Sequence, residues 1–229
     1  MEFGGIQKTS FVDYPAKIAV VVFTKGCNYA CPYCHNPSLS APDEKTPCIT
    51  EEEVLEFLRK RRKYADALVV TGGEPTIHKE LPCFIAKAKA LEYLVKLDTN
   101  GSNPDFLSRL LSENLVDYVA LDVKAAPEDY ALITRNKNSA ENVKKSLEAI
   151  KKSGVDYEVR TTIVSQMFSP QKIKRMCEWV GGGKKLFLQR FRPGNCLDAE
   201  WNNKSEPSDA EMNSFLEAAK PFFEEVKIR

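Results

Sequence analysis

Residues 18–37, IAVVVFTKGCNYACPYCHNP, join a short apolar run to a loop that carries three cysteines. The run 18–24 contains no polar residue before Thr24, which is typical of a strand that is buried on both faces of a sheet. Similar runs recur along the chain and alternate with stretches of helical periodicity. We therefore predict six strands in βα order, at 18–24, 67–71, 93–98, 117–123, 156–164 and 185–191.

The βα alternation favours a parallel sheet with right-handed crossovers. Periodicity alone allows either an open doubly wound sheet or a partial barrel. Polar motifs follow four of the predicted strands, at the ends where active sites assemble in parallel α/β folds. Because these ends share one edge, we predict a single active-site rim there, built from the cysteine loop, TGGEP at 71–75, DTNG at 98–101 and DVK at 122–124.

Helix signals separate the strands. Thr50 and Glu53 form a capping-box pattern at the start of a predicted helix over 50–64. Gly154 ends another, over 139–152, and Ser169 with Pro170 begins a third. The remaining predicted helices cover 79–91, 104–113 and about 208–223.

Charge and apolar patterning exclude several classes of protein. The 33 basic and 32 acidic residues give a net charge of +1, which excludes a strongly basic nucleic-acid coat. The basic run 59–63 ends a helix that acidic residues begin, so it matches the helix dipole and predicts a solvated helix. The longest apolar run is far shorter than the ~20 residues of a membrane span, and no signal peptide precedes it. We expect a cytoplasmic protein with neither nucleic acid nor membrane as a partner.

Cys27, Cys31 and Cys34 form a C-x3-C-x2-C pattern on one loop. Iron–sulfur clusters are usually held by four cysteine thiolates, so three would leave one iron open to a further ligand. Zinc held by these cysteines and His35 is the alternative, although Cys34 and His35 are adjacent, which makes joint tetrahedral ligation awkward. The spacing favours a cluster and leaves zinc open. The other four cysteines are scattered, at Cys48, Cys83, Cys177 and Cys196.

The cysteine loop, with Tyr33 before its last cysteine and GGEP at 72–75, resembles the radical S-adenosylmethionine (SAM) superfamily. Residues 4–18 and 23–37 resemble, more narrowly, the activating proteins of anaerobic ribonucleoside-triphosphate reductase. These belong to the glycyl-radical-enzyme activases, alongside the pyruvate formate-lyase activase. The resemblance implies a partial (β/α)6 TIM-type barrel. We expect one domain over 1–229, with an N-terminal extension at 1–15 and a C-terminal helical segment at 196–229.

The same resemblance implies a chemistry. A [4Fe–4S] cluster on the three cysteines would bind SAM through its fourth iron, and an electron would split the cofactor into methionine and a 5′-deoxyadenosyl radical. That radical would abstract a hydrogen from a glycine of the reductase. The implied partners are therefore a glycyl radical enzyme and a low-potential electron donor such as flavodoxin or ferredoxin.

Further site residues follow from the resemblance to the activases. Gly72, Gly73 and Glu74 would hold the amino group of the methionine moiety, unless they only form a tight βα turn. Four further residues would contact a monovalent cation or the cofactor's carboxylate, unless they form ordinary salt bridges. These residues are Asp98, Thr99, Asp122 and Lys124.

Arg160 lies within an apolar strand pattern, where a charge is costly unless it faces a polar interior. We expect it to line the cavity and to meet a carboxylate there. Tyr33 is a candidate for contact with adenine. We expect the remaining candidates to line the pocket or its rim, or to shape the cysteine loop. They are His35, Asn36, Gln189 and Arg192.

Three other functions compete with activation of this reductase. The chain could activate another glycyl radical enzyme, of the pyruvate formate-lyase type. It could be a radical SAM enzyme that acts on a small molecule, although a short chain without a large C-terminal substrate domain suits a protein substrate better. It could also be a non-catalytic zinc or electron-transfer module. It contains no glycyl-radical loop of its own.

Overall fold

A computed structural model describes all 229 residues and contains nine strands. They are β1 (Glu2–Ser10), β2 (Ala19–Thr24), β3 (Ile49–Thr50), β4 (Ala67–Gly72), β5 (Leu94–Thr99), β6 (Tyr118–Asp122), β7 (Asp156–Ile163), β8 (Gly183–Arg190) and β9 (Phe223–Ile228). All nine belong to one sheet, in the order β3-β1-β2-β4-β5-β6-β7-β8-β9. The strands from β2 and β4 to β9 run parallel, while β1 is antiparallel to both of its neighbours.

Eight α-helices accompany the sheet: α1 (Pro37–Ser40), α2 (Glu51–Arg61), α3 (Leu81–Ala90), α4 (Pro104–Ser112), α5 (Pro127–Thr134), α6 (Ser139–Ser153), α7 (Pro170–Val180) and α8 (Asp209–Ala219). The predicted caps are present. Thr50 and Glu53 form the capping box of α2, Gly154 ends α6 in the left-handed conformation, and the Ser169 side chain accepts from the backbone N–H of Lys172 at the start of α7. None of the helices is both long and apolar enough to cross a membrane.

The six predicted strands are all present, and the fold is the expected α/β fold with a mostly parallel sheet. The sheet is open, since β3 and β9 form its two edges. Two parts of the prediction need correction. The segment 196–229 is not helical throughout, because it ends in β9, which pairs with β8. The extension 1–15 contains β1, which covers the edge of β2.

Each parallel strand presents alternate residues to the two faces of the sheet. One set packs beneath the helices in the main core, for example Val95, Leu97, Val119 and Leu121. The other set forms a smaller inner core near the N-terminal ends of the strands, made of Tyr14, Ala19, Val21, Ala67, Val69 and Tyr118.

The loop between β1 and β2 closes this inner core. Ser10 pairs with Ala19, so the loop lies at the N-terminal ends of the parallel strands. Tyr14 is buried and packs against Tyr118, with ring centroids 5.8 Å apart. The opposite, C-terminal ends of the strands are left for polar groups.

Candidate active site

A cavity of about 280 Å³ lies at the C-terminal ends of the parallel strands. Every residue predicted to bind the cluster or the cofactor lines it, which shows that these strand ends meet as the parallel topology requires. These residues are Cys27, Cys31, Tyr33, Cys34, Gly72, Gly73, Glu74, Asp98, Thr99, Asp122, Lys124 and Arg160.

The cysteine loop is held by backbone hydrogen bonds, both to residues outside it and within it. Gly26 N–H donates to Leu39 (2.6 Å), Ala30 N–H donates to Thr134 (3.1 Å), and Cys34 N–H closes a turn on Cys31. Burial raises the pKa of Cys31 to about 11 and also raises the pKa of Cys27. Without a metal these thiols stay protonated at neutral pH, so binding a metal would release protons.

A C-terminal segment, residues 195–201, fastens this loop from outside, and we call it the strap. Its backbone N–H groups at Leu197 and Asp198 donate to the carbonyls of Cys34 (3.1 Å) and Pro32 (3.0 Å). Trp201 packs on Tyr33, with ring centroids 5.8 Å apart. The strap therefore holds the loop that carries the last two cysteines.

The donor set fits a cluster better than a single ion. Tetrahedral zinc with Zn–S bonds of about 2.3 Å would require thiolate sulfurs about 3.8 Å apart. No group of three His, Cys, Asp or Glu side chains is arranged to hold a single metal ion, although the three thiols line the same cavity. In a [4Fe–4S] cluster each cysteine binds a different iron, so the thiols need not converge on one point. The three thiols on one cavity wall therefore fit the cluster that the sequence predicts.

Gly72 and Gly73 bring backbone close to the cysteine loop. A Cβ on Gly73 would lie 1.9 Å from the Gly26 carbonyl oxygen, and a Cβ on Gly72, whose φ is +117°, would lie 2.4 Å from the Thr24 nitrogen. Only glycine allows this approach. The segment therefore offers backbone groups, rather than side chains, at the cavity wall.

Glu74 is fully buried. Its carboxylate accepts four hydrogen bonds: from Thr76 N–H (3.0 Å) and hydroxyl (2.6 Å), from the Thr99 hydroxyl (2.7 Å) and from Asn100 N–H (2.7 Å). Burial raises the pKa of Glu74 in spite of these bonds. The side chain ties the end of β4 to the end of β5.

Arg160 bridges the two aspartates. It donates to Asp98 (2.9 Å) and Asp122 (2.8 Å), and Lys124 lies 3.0 Å from the other oxygen of Asp122. Burial opposes ionisation of Asp122, but the charges of Arg160 and Lys124 prevail and lower its pKa to about 2. The same ion pair raises the pKa of Lys124 against the effect of burial. The expected meeting of Arg160 with a carboxylate is present.

The groups predicted to surround a monovalent cation are engaged by the protein. Asp98 and Asp122 face Arg160, and the Thr99 hydroxyl donates to Glu74. The salt-bridge alternative therefore describes the two aspartates, and a cation beside them stays a prediction.

The cavity wall also carries unsatisfied polar atoms. The Tyr29 hydroxyl and Asp98 Oδ1 are buried without a hydrogen bond; Lys96 lies 3.4 Å from this oxygen, as an ion pair rather than a hydrogen bond. Burial raises the pKa of Tyr29, so its hydroxyl stays protonated. A polar ligand in the cavity could satisfy both atoms, which supports its use as a binding site.

Other predicted residues divide into two groups. His35, Asn36 and Gln189 line the cavity, while Arg192 is exposed and does not. The Tyr33 hydroxyl donates to the Lys124 carbonyl (3.4 Å). Five further residues line the cavity without having been singled out as site residues. Three belong to the motifs predicted at the rim, and two carry no motif; they are Tyr29, Thr71 and Asn100, and Ser40 and Thr162.

Comparison with known proteins shows which family has the sequence pattern of this chain. The model of the radical SAM superfamily matches residues 21–180. A Methanocaldococcus jannaschii protein, classed by inference as a glycyl-radical enzyme activating enzyme, is 34% identical over 98% of this chain and 94% of its own. The pyruvate formate-lyase-activating enzyme of Clostridium pasteurianum is 30% identical over 75% of this chain and 72% of its own.

Solved structures show the same fold. Streptococcus suis SuiB bound to S-adenosylmethionine has a TM-score of 0.69 at 12% identity, over 91% of this chain and 49% of SuiB. The protein anSMEcpe with bound AdoMet has a TM-score of 0.64 at 21% identity, over 90% of this chain and 62% of its own. The chain thus spans about half the length of the first structure and less than two thirds of the second.

Proposed function

Since the chain belongs to the radical SAM superfamily, we propose that it is an activase that generates the glycyl radical of an anaerobic ribonucleoside-triphosphate reductase. The observation that carries the proposal is the meeting of three thiols with the Gly72–Gly73 backbone around one cavity. The similarity to two glycyl-radical-enzyme activating enzymes, along 98% and 75% of the chain, supports the reaction class. The resemblance of residues 4–18 and 23–37 to reductase activases supports the choice of partner.

In this proposal Cys27, Cys31 and Cys34 would hold a [4Fe–4S] cluster, which with three cysteine ligands would keep one iron for SAM. When bound, the cluster supplies the electron that splits SAM into methionine and a 5′-deoxyadenosyl radical. A flavodoxin or ferredoxin is the proposed reductant. The strap and the cysteine loop fix the thiols relative to the strand ends.

The remaining residues bind and orient the cofactor. The backbone of Gly72 and Gly73 receives its amino group, and the ammonium of Lys124 faces its carboxylate. Arg160 bridges Asp98 and Asp122 and keeps Asp122 ionised. Asp98 Oδ1, which has no hydrogen bond, accepts one from the ligand. These positions keep the reacting centre oriented and away from bulk water.

The test is a glycyl-radical EPR experiment under anaerobic conditions. The reconstituted protein is incubated with dithionite, SAM and the reductase, and in parallel with pyruvate formate-lyase. We expect the doublet of a glycyl radical in the reductase, and none with a Cys31→Ala activase. A doublet only in pyruvate formate-lyase would contradict the choice of partner. SAM cleavage with a small-molecule product and no radical in either enzyme would contradict the activase function.

A further inference from the structure

Asn100 joins the two halves of the site. It is 6% exposed, and its backbone N–H donates to Glu74 (2.7 Å). Its side-chain nitrogen lies 3.1 Å from Asn28 Oδ1 and 3.8 Å from Cys27 Sγ. Asn100 therefore contacts both Glu74, in the GGEP segment, and Cys27, a predicted cluster ligand.

The orientation of the Asn100 amide is fixed by its neighbours. The backbone N–H of Ser102 donates to Asn100 Oδ1 (2.9 Å), which requires an oxygen at that position. The NH2 group must then face Asn28 and Cys27. Asn28 is held in turn by the Ser102 hydroxyl, at 2.8 and 3.2 Å.

The three thiols differ in their surroundings. Cys27 Sγ accepts from the Tyr29 backbone N–H (3.4 Å) as well as from the Asn100 amide. Cys34 Sγ lies 4.0 Å from the Ser40 hydroxyl, and Cys31 Sγ has no such partner. Among the three thiols, Cys27 is therefore the one that accepts hydrogen bonds from N–H groups.

We propose that Asn100 is a positioning residue that raises the reduction potential of the cluster through its hydrogen bond to Cys27. This rests on the proposed function, since it requires a cluster on that thiolate. Hydrogen bonds to the sulfurs are among the factors that set cluster potentials. A one-electron reduction adds negative charge to the cluster and its thiolates, and an N–H donor stabilises the more negative state.

The test is an EPR-monitored redox titration of the reconstituted protein with two variants. Asn100→Leu removes the donor and keeps the backbone bond to Glu74. Asn100→Asp keeps the acceptor for Ser102 and places an anionic oxygen near the thiolate. At a fixed solution potential, we expect the ratio of reduced to oxidised cluster to fall by about threefold to tenfold in Asn100→Leu, where tenfold is 59 mV for one electron. The fall should be larger in Asn100→Asp.

Asn103→Ala is the matched control, because its amide donates to the Thr76 carbonyl (2.9 Å) and contacts no thiol. Its potential should equal that of the wild type. Unchanged potentials in iron-loaded Asn100 variants would overturn the assignment, and if one variant fails to load iron the other decides. A wild-type protein that binds no iron–sulfur cluster would instead remove the proposed function itself.

Discussion

The inner face of the sheet has charged groups at two levels, and they are used differently. Near the N-terminal ends, Lys96 and Glu158 are almost fully buried, 3.5 Å apart, and the Tyr118 hydroxyl donates to Glu158 (3.1 Å). Near the C-terminal ends, Asp122 and Arg160 form a similar pair but line the cavity. We call these the lower and upper charge layers.

The comparison shows that buried charge alone does not identify a site. The lower layer is closed by the loop that carries Asp13 and Tyr14, and Lys96 donates to the Asp13 carbonyl (2.6 Å). Its groups pair with one another and do not line the active-site cavity, so we assign them a structural role. The upper layer has the same chemistry and an opening, so it can exchange protein partners for a ligand. Lys96 also lies 3.4 Å from Asp98, where the two layers touch.

The largest effect should follow from Cys31→Ala, in the cysteine loop beside the upper charge layer. Removing one of three cluster ligands should abolish SAM cleavage and lower the iron content, because only two cysteines of the motif would remain to hold the cluster. Anaerobic reconstitution followed by iron analysis and detection of 5′-deoxyadenosine measures this. Cys83→Ala, at an exposed thiol far from the cavity wall, is the control. Full SAM cleavage by Cys31→Ala would contradict the assigned cluster site.

Lys96→Met should break the lower layer. It removes the ammonium partner of buried Glu158 and leaves only Arg229, at 3.5 Å, as a cationic neighbour. A buried charge left wholly unpaired costs about 3–5 kcal/mol in the free energy of unfolding, so we expect a loss towards the lower end of that range. Urea denaturation measures it. Lys87→Met, which removes an exposed ion pair with Glu51, should cost less than about 1 kcal/mol. If the two variants were equally stable, the charges of the lower layer would not be what stabilises this end of the sheet.

Gly73→Ala should disturb the cavity wall beside the upper charge layer without changing any charged side chain. The new Cβ would lie 1.9 Å from the Gly26 oxygen, so the backbone must separate. We expect a loss of about 1–3 kcal/mol in stability, as for other overpacked sites, together with weaker SAM binding by equilibrium dialysis. Gly5→Ala, whose nearest contact is a Phe23 side-chain atom at 3.5 Å, should be nearly neutral. Normal SAM binding by Gly73→Ala would argue against a role for this backbone.

Acid should weaken the upper layer through Asp122. Its pKa is lowered from 3.8 to about 2 on folding, so its contribution is complete above pH 3.8 and is lost as the pH falls through 2. The shift corresponds to about 2 kcal/mol. Urea midpoints measured from pH 6 to pH 2 should fall less steeply in Asp122→Asn than in the wild type. A variant at exposed Asp105 should follow the wild type, and identical slopes in all three proteins would contradict the assigned pair.

Much of the fold could be predicted from local signals. The apolar runs locate six parallel strands to within about two residues, and parallel strands bring their C-terminal ends together, which is why motifs distant in sequence meet at one cavity. The strands outside the six predicted ones, β1, β3 and β9, escaped prediction. β1 contains Gly4 and Gly5, and β9 reads FEEVKI, so neither resembles a buried strand.

Side-chain partners could not be predicted from the motifs. Asn100 contacts groups 72 and 73 residues earlier in the chain, and no local pattern announces such a contact. Glu74 belongs to a motif associated with cofactor binding, yet its carboxylate is engaged within the protein. A motif identifies which residues matter more reliably than it identifies which atoms of them reach the ligand.

The strap has a consequence for the order in which the protein matures. The cysteines occupy positions 27–34 and leave the ribosome early, while the residues that fasten their loop lie at 195–201 and emerge more than 160 residues later. The region that matches the family model ends at residue 180, before the strap begins. Iron delivered to a nascent chain would therefore meet an unfastened loop, and the closed form of the thiol loop is a property of the nearly finished polypeptide.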